Sequence, residues 1–507
     1  MDIQVEKQTL GSCCVLREAK AEQPIDCDMT LPDYCDDVKS ILNCSIEPYI
    51  TSGGASGSRI SAQGNAVVRL VYVGEKDEIV CFEQSVPLSK SVEMSGLPQD
   101  AACRISAKTD YVNCRAVNPR RVDVHGCVTV WFTAFGREKT DILTDAPNDG
   151  LFLKRERFQT CDFTGCSSKL FEMSETITVP SNQPAVKGII HAEAVPAVKD
   201  IKAVNGKVLV RGDVRVTFCY CGEGGSIEKL EHSMPLNQIV EVEGVNDGSL
   251  CDVRLSVTSL DAPFKADAGG EMRRADLAAA LRADIFAYSP AQVDAATDAY
   301  AVSQSLELQV TRAKSLTLCE QLNEVFSVSC SLDFSDVPAA ELLDVWCDGV
   351  SSLFDADNPT FEVCGALSLC VLYRDAEGSV QLAHRSCDYR FQKDLTAPNG
   401  RFVYEPWLCV NGWELSVSGA GVQGKIQLDL VGCVFAQTDH EVIGDLRADE
   451  TKPVENTAAI TVYFGSGGEE IWEIAKRYHT SCEAVRQRNR LSGERVENDG
   501  VLIIPRN

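Results

Sequence analysis

Three stretches of the chain share one pattern of apolar and polar positions. They are Gly64-Asn-Ala-Val-Val-Arg-Leu-Val-Tyr72, Gly212-Asp-Val-Arg-Val-Thr-Phe-Cys-Tyr220 and Gly365-Ala-Leu-Ser-Leu-Cys-Val-Leu-Tyr373. Each sets a glycine eight residues before a tyrosine, with apolar residues at alternate positions between them. Such alternation, rich in β-branched residues, marks a strand with one buried face. The copies lie 148 and 153 residues apart, a period too long for a solenoid unit and suited to a whole domain repeated in tandem.

Taken in order, the first unit opens with strands over Gln4 to Leu16 and Ile25 to Leu31, separated by a polar turn. Pro32 stops the strand, and Asp33 is placed to cap a short helix towards Ile41. Strands Gly64 to Val73 and Ile79 to Pro87 follow, and the alternating run Arg120 to Phe132 closes the unit. Adding 148 takes Pro32 to Pro180, Ile41 to Ile189 and Pro87 to Pro235; Arg120-Arg121 then returns as Arg273-Arg274, at an offset of 153. By propensity alone Arg273 to Tyr288 reads as a helix. Its counterpart, Arg120 to Phe135, alternates like a strand, so a strand is expected there. The third unit repeats the glycine-to-tyrosine strand at an offset of 301, with a looser front segment at Pro338 to Val345.

These offsets predict three tandem β-rich domains, sandwich- or barrel-like, over residues 1–145, 146–295 and 296–440. Residues 441–456, acidic and poor in apolar side chains, read as a linker. Residues 457–507 change character. Strand Ile460 to Phe464, helices over Glu469 to Tyr478 and Ser481 to Asn489, and strand Gly500 to Pro505 make a βααβ module. Thr480 or Ser481 is available to cap the second helix, with Glu483 for a capping box.

Composition narrows the function classes. The net charge of −26 argues against general binding to nucleic acid or anionic lipid. The tail carries seven basic and seven acidic residues, so the whole excess lies before it. No apolar run is long enough for a membrane helix, and Met1 to Glu6 does not open like a secretory signal, so neither membrane insertion nor export is expected. The 23 cysteines include no CxxC pair and read as reduced thiols used as small hydrophobes. There is no GxSxG, P-loop or HExxH, and the histidines show no ligand spacing. Neither catalytic residues, metal ligands nor a cofactor are expected. Adjacent carboxylates such as Asp36-Asp37 and Glu469-Glu470 read as solvated charge near helix N-termini.

The tail resembles a LysM domain through Gly468-Glu469-Glu470-Ile471-Trp472, Ile474-Ala475, Asn489-Arg490-Leu491 and Leu502-Ile503-Ile504-Pro505. The long repeats resemble SPOCS domains of bacterial sporulation proteins, through Leu31-Pro32-Asp33 to Leu42, the glycine-to-tyrosine strand and Asn118-Pro119-Arg120. SPOCS repeats followed by one LysM is the arrangement of clostridial spore-coat morphogenetic proteins. The resemblance implies a non-enzymatic assembly factor in the mother-cell cytosol, joining the basement-layer coat ATPase or another coat protein at the forespore surface. LysM domains commonly bind N-acetylglucosamine polymers, so peptidoglycan or a chitin-like glycan is the alternative ligand. The LysM groove would use Gly468, Glu469, Glu470, Ile471, Trp472, Asn489, Leu491 and Ser492. Glu469-Glu470 departs from the usual Asp-Thr or Asp-Ser, removing a hydroxyl and adding a carboxylate. Trp472 reads equally as helix core and as a binding hot spot. Arg486, Arg488 and Arg490 read as a solvated face, with a docking surface for an acidic partner as the other possibility.

Overall fold

The computed structural model describes residues 3–98, 101–356, 360–395, 401–419, 421–449 and 460–505. The first unit comprises β1 (Glu6–Thr30), β2 (Val38–Ser56), β3 (Arg59–Gly74), β4 (Ile79–Glu93), β5 (Ala102–Asn118) and β6 (Arg121–Asp145). They form two antiparallel sheets, β1-β6-β5 and β2-β3-β4. Ile25, Met29, Val124 and Phe132 of the first sheet face Ile60, Leu70, Tyr72 and Leu88 of the second across one core. Each large side chain buried there stabilises the fold by about 1.5–3 kcal/mol.

The second unit repeats the plan with β7 (Leu151–Thr178), β8 (Val186–Val204), β9 (Lys207–Gly222), β10 (Ile227–Glu241), β11 (Leu250–Asp261), β12 (Phe264–Ala266) and β13 (Met272–Ala301). Its sheets are β8-β9-β10 and a second in which β13 carries β7 on one edge and β11 and β12 on the other. The third has β14 (Ser305–Leu332), β15 (Ala339–Phe354), β16 (Phe361–Asp375), β17 (Val380–Lys393), β18 (Arg401–Val403), β19 (Trp407–Ser418) and β20 (Gly421–Asp449), paired in the same way. Arg273 to Tyr288 lies within β13, buried on alternate residues and paired on both edges. Tertiary pairing here overrides its helical propensity.

The repeated glycine has a steric cause. A Cβ built on Gly64, Gly212 or Gly365 would overlap the carbonyl oxygen of Tyr49, Ala197 or Ser351 on the neighbouring strand. Only glycine lets the two backbones approach this closely. In two units the repeated tyrosine ties down the preceding loop: the Tyr72 hydroxyl donates to the Asp36 carbonyl at 2.8 Å and that of Tyr220 to the Pro184 carbonyl at 3.2 Å.

Three expectations need correction. Asp33 does not cap a helix: β2 begins at Val38 and runs through Ile41. Its pairing with β3 slips at Val38/Ser40, Ile41/Asn43 and Ile50/Ser52, and each bulge adds a residue to the strand's period of two. Apolar residues three apart therefore mimic a helical face. The slips recur in β8 at Val186/Gly188, Ile189/His191 and Val198/Asp200, each displaced by 148. Second, Gln4 to Leu31 is not two strands but one, because Ala19 and Ala21 between the polar residues pack on the core and β1 pairs along the length of β6. Third, the expected linker begins inside β20: residues 441–449 pair with β14, and Val442, Ile443 and Leu446 are buried. β13 likewise runs to Ala301, past the expected boundary at 295. Residues 450–456 lie outside the described residues.

Equivalent residues of the three units meet each other. Phe135, Tyr288 and Phe435 share one cluster; Ile142, Ala295 and Val442 share another. The outer faces of the short sheets converge on Val71, Cys219, Trp346 and Cys370. The units therefore surround a common centre.

The tail consists of β21 (Ile460–Gly465), α1 (Ile471–Arg477), α2 (Cys482–Asn489) and β22 (Gly500–Pro505), with β21 and β22 antiparallel. Ser481, not Thr480, caps α2, accepting from the Ala484 amide at 3.1 Å. Ala484 occupies the capping-box position, and Glu483 bonds Gln487 instead. Among the described residues no helix is long and apolar enough to cross a membrane.

Candidate functional site

The tail module holds all eight residues singled out for binding, and the fold gives them different tasks. Ile471 is fully buried with Ile474, Ala475, Val485, Leu502 and Ile504, with Leu491 packed against them. Asn489 fixes the end of α2 to β22: its Nδ2 donates to the Val485 and Ile503 carbonyls, and its Oδ1 accepts from the Ile503 amide at 2.7 Å. Ser492 donates to Glu497 at 2.8 Å. Gly468 sits at φ +90°, where a side chain would be strained.

The two loops that would border a sugar groove are joined to each other. The Gly468 amide donates to the Val496 carbonyl, the Val496 amide to the Glu469 carbonyl, and the Ile471 amide to the Glu494 carbonyl, all at 2.8–2.9 Å. Glu469 accepts the Tyr463 hydroxyl at 2.6 Å. Glu470 takes Arg495 at 2.7 Å from the module and Lys154 at 2.7 Å from β7. The Lys154 hydrogen bond and charge hold the Glu470 carboxyl below its ordinary range.

Lys154 is part of a wider contact. The module rests against one end of the long β7–β13 strand pair of the second unit, where the start of β7 meets the end of β13. Trp472 Nε1 donates to Asp298 Oδ2 at 2.7 Å, and Lys476 Nζ donates to both Asp298 oxygens at 2.6 and 2.8 Å. Tyr300 is buried among the module's core residues, its hydroxyl donating to the Thr480 carbonyl at 2.8 Å. Its ring meets Trp472 edge-to-face at 4.9 Å and stacks on Phe152 at 5.3 Å. Burial raises the Asp298 pKa, but the hydrogen bonds from Lys476 and Trp472 outweigh it and leave the group below its ordinary value. Trp472 is thus a contact residue, and what it contacts is this same chain. Sequence reasoning missed Asp298 and Tyr300, which carry no motif.

What the module leaves open is apolar. Val462, Phe464 and Val501, on the outer face of β21 and β22, are 69%, 67% and 63% exposed. A separate cavity of about 530 Å³ lies between the long-stranded sheets of the three units, where Arg104, Asp252, Arg254 and Glu405 form a compact charge cluster beside Phe135 and Phe286. None of the eight binding candidates lines it. Cys127, Cys219, Cys251, Cys370 and Cys433, all on strands and buried, are free thiols. Among the described residues one group of metal-ligating type, Asp348, Cys370 and His384, does converge, its ligand atoms within 4.8 Å of one another.

Comparison with known families adds one finding. The model of the family described as SipL, SPOCS domain, matches twice, at residues 37–117 and 185–265. The two matches cover the equivalent parts of the first and second units, from the start of the short sheet into the strand that follows it. The matched domain type suggests a sporulation or spore-coat-related role. No curated protein and no solved structure matches the chain.

Proposed function

We propose that this protein is a non-enzymatic assembly factor of the spore coat, acting in the mother-cell cytosol at the forespore surface. Its partner on this reading is a protein of the coat basement layer, the morphogenetic ATPase in the first place, and the LysM-like tail is the module that binds it. The sporulation-type domain supports the setting. The observation that carries the choice of partner is the outer face of the tail's β21–β22 sheet. Val462, Phe464 and Val501 form an exposed apolar strip, which suits a protein surface. A sugar polymer would instead need free backbone donors in the groove, and there the Gly468, Ile471 and Val496 amides already bond across the two loops.

The test uses the whole chain, because excising the tail would expose Trp472 and remove Tyr300 from the module's core. Purified basement-layer ATPase is titrated against the native chain and a Val462→Ser/Phe464→Ser variant, with and without chitin oligomers. We expect binding that the variant weakens at least about tenfold, as loss of a hot-spot aromatic does, and that the oligomers leave unchanged. Retention of chitin by the native chain, with no ATPase binding, would establish the glycan reading in its place.

A further inference from the structure

The centre where the three short sheets meet contains one position filled in different ways. In the first unit, Arg69 on β3 stands opposite Glu83 on β4, with Glu47 of β2 beside it. Its guanidinium is held by Glu47 Oε1 at 2.7 Å and Glu83 Oε1 at 2.6 Å, and its side chain is only 8% exposed. A fixed cation therefore lies between two carboxylates. At offset 148 the same positions are Val195, Thr217 and Glu231, a set without this chemistry. At offset 301 they are Asp348, Cys370 and His384. Cys370 is again opposite His384 across the hairpin. The arginine has gone, and three metal-ligating side chains face the place it would occupy.

Their geometry is compact. Cys370 Sγ lies 2.9 Å from Asp348 Oδ2 and 3.3 Å from His384 Nδ1, and Nδ1 lies 3.3 Å from the same Asp348 oxygen. Donors around a tetrahedral zinc ion, bonded at about 2.0–2.3 Å, stand roughly 3.4–3.6 Å apart. Movements of a few tenths of an ångström at Asp348 and His384, which are partly exposed beside the buried Cys370, would admit the ion.

The surroundings select the right atoms. Asn43, reaching over from the first unit, presents Nδ2 to Cys370 Sγ at 3.9 Å and Oδ1 to His384 Nε2 at 3.1 Å. An amide oxygen only accepts, so Nε2 carries the proton and Nδ1 keeps its lone pair for the site. Trp346 Nε1 donates to Asp348 Oδ1 at 3.0 Å, leaving Oδ2 free to ligate. Trp346 is in turn stacked on the buried His191 of the second unit at 4.4 Å.

We propose that Asp348, Cys370 and His384 are a Zn²⁺ site, with Asn43 as the positioning residue and the fourth coordination place open. A thiolate, an imidazole and a carboxylate suit zinc and disfavour Mg²⁺ or Ca²⁺, which prefer oxygen alone. Thiolate and carboxylate neutralise the ion, so the third unit holds with a metal what the first holds with Arg69. The ion would also join two units, because Asn43 and His384 belong to different ones.

The experiment is a Zn²⁺ titration of the chelator-stripped, reduced full chain against a chromophoric competitor, repeated with Co²⁺ to read the thiolate-to-cobalt absorption band. One tight equivalent is expected in the native chain and in Cys166→Ser, a control for the many other thiols. Cys370→Ser should abolish the cobalt band and weaken Zn²⁺ binding at least about a hundredfold, and Asn43→Ala should weaken it about 10–100-fold, as loss of an outer-shell partner does. The double change Cys370→Arg/His384→Glu rebuilds the first unit's triad. It should fold, with an unchanged circular dichroism spectrum, and bind no zinc at this place, which keeps the test decisive if Cys370→Ser does not fold. A native chain without a tight equivalent, or one retained undiminished in Cys370→Ser or the rebuilt triad, overturns the proposal.

Discussion

The first and third units close the loop before the second strand of the repeat by different means. In the first, Arg120 clamps it: the guanidinium donates to the carbonyls of Leu31, Pro32 and Cys35 and to Asp37, while Asp33 stands in solvent. The second unit keeps the clamp, with Arg273 on the carbonyls of Pro180 and Gln183. In the third, Phe334 in this loop is fully buried, edge-on to Tyr373 at 4.8 Å. An arginine returns from another strand: Arg385 covers that ring at 4.5 Å, donates to the Asp333 carbonyl at 2.7 Å and pairs with Asp336. The close backbone approach at Gly64 and Gly365 is unchanged between them. What the fold requires sterically is kept, and what only ties down a loop is met by whichever side chain reaches it.

That comparison can be broken most severely at the shared feature. Gly64→Val and Gly365→Val should each cost more than about 4 kcal/mol, because backbone on the neighbouring strand must move; denaturant unfolding of both variants checks it. If either is tolerated, the close approach is not what fixes the glycine. Next, Phe334→Ala should destabilise the third unit by about 3–5 kcal/mol, whereas Asp33→Ala, exposed in the first unit's loop, should leave the chevron and midpoint nearly unmoved.

A further difference lies at the ends of the long strand pairs, where Asp145, Asp298 and Asp445 are equivalent. Asp145 pairs with Arg155 and Asp445 with Lys7, each on a long strand of another unit, but Asp298 holds the tail module. Asp298→Ala should loosen docking by about 1–2 kcal/mol, a charged hydrogen bond discounted for solvent at the rim, read as a change in Trp472 fluorescence. The pH dependence follows from the sign of the shift. The folded pKa lies below the ordinary 3.8, so the contribution is complete above 3.8 and is lost as pH falls through the lowered folded value. Docking that an acid titration never weakened while the chain stayed folded, or that Asp298→Ala left with the same acid dependence, would remove Asp298 from the contact. The smallest effect belongs to Tyr72→Phe, about 0.5–1.5 kcal/mol for one hydrogen bond in the loop, measured by the unfolding midpoint.

How much could be read from the chain follows from the same physics. The alternation around Gly64, Gly212 and Gly365, and the offset that turns Arg273 to Tyr288 into a strand, made the β architecture legible. The bulges at Val38, Ile41 and Ile50 hid the start of β2, because a bulged strand loses the period by which strands are recognised. In the candidate site, Glu470 and Trp472 were found through their neighbours in sequence. Asp298 and Tyr300 were not, since nothing local distinguishes a residue near a strand end that touches another module. Cys370 and His384 are 14 residues apart and look unrelated until the hairpin pairs them. The signal was present nonetheless, in the offset of 301 that maps Arg69 onto Cys370.

The docked tail has a thermodynamic side. Trp472 and Asp298 are held together within one molecule, so the end of the β7–β13 pair acts as a tethered competitor at high effective concentration. Any ligand that needs the indole must bind the fraction of chains in which the module has lifted off, and its apparent affinity is reduced by that fraction. A ligand that uses only the face bearing Phe464 bears no such penalty. The latch therefore sorts binders by the side of the module they approach, and loosening Asp298 would raise affinity for the first kind while leaving the second unchanged.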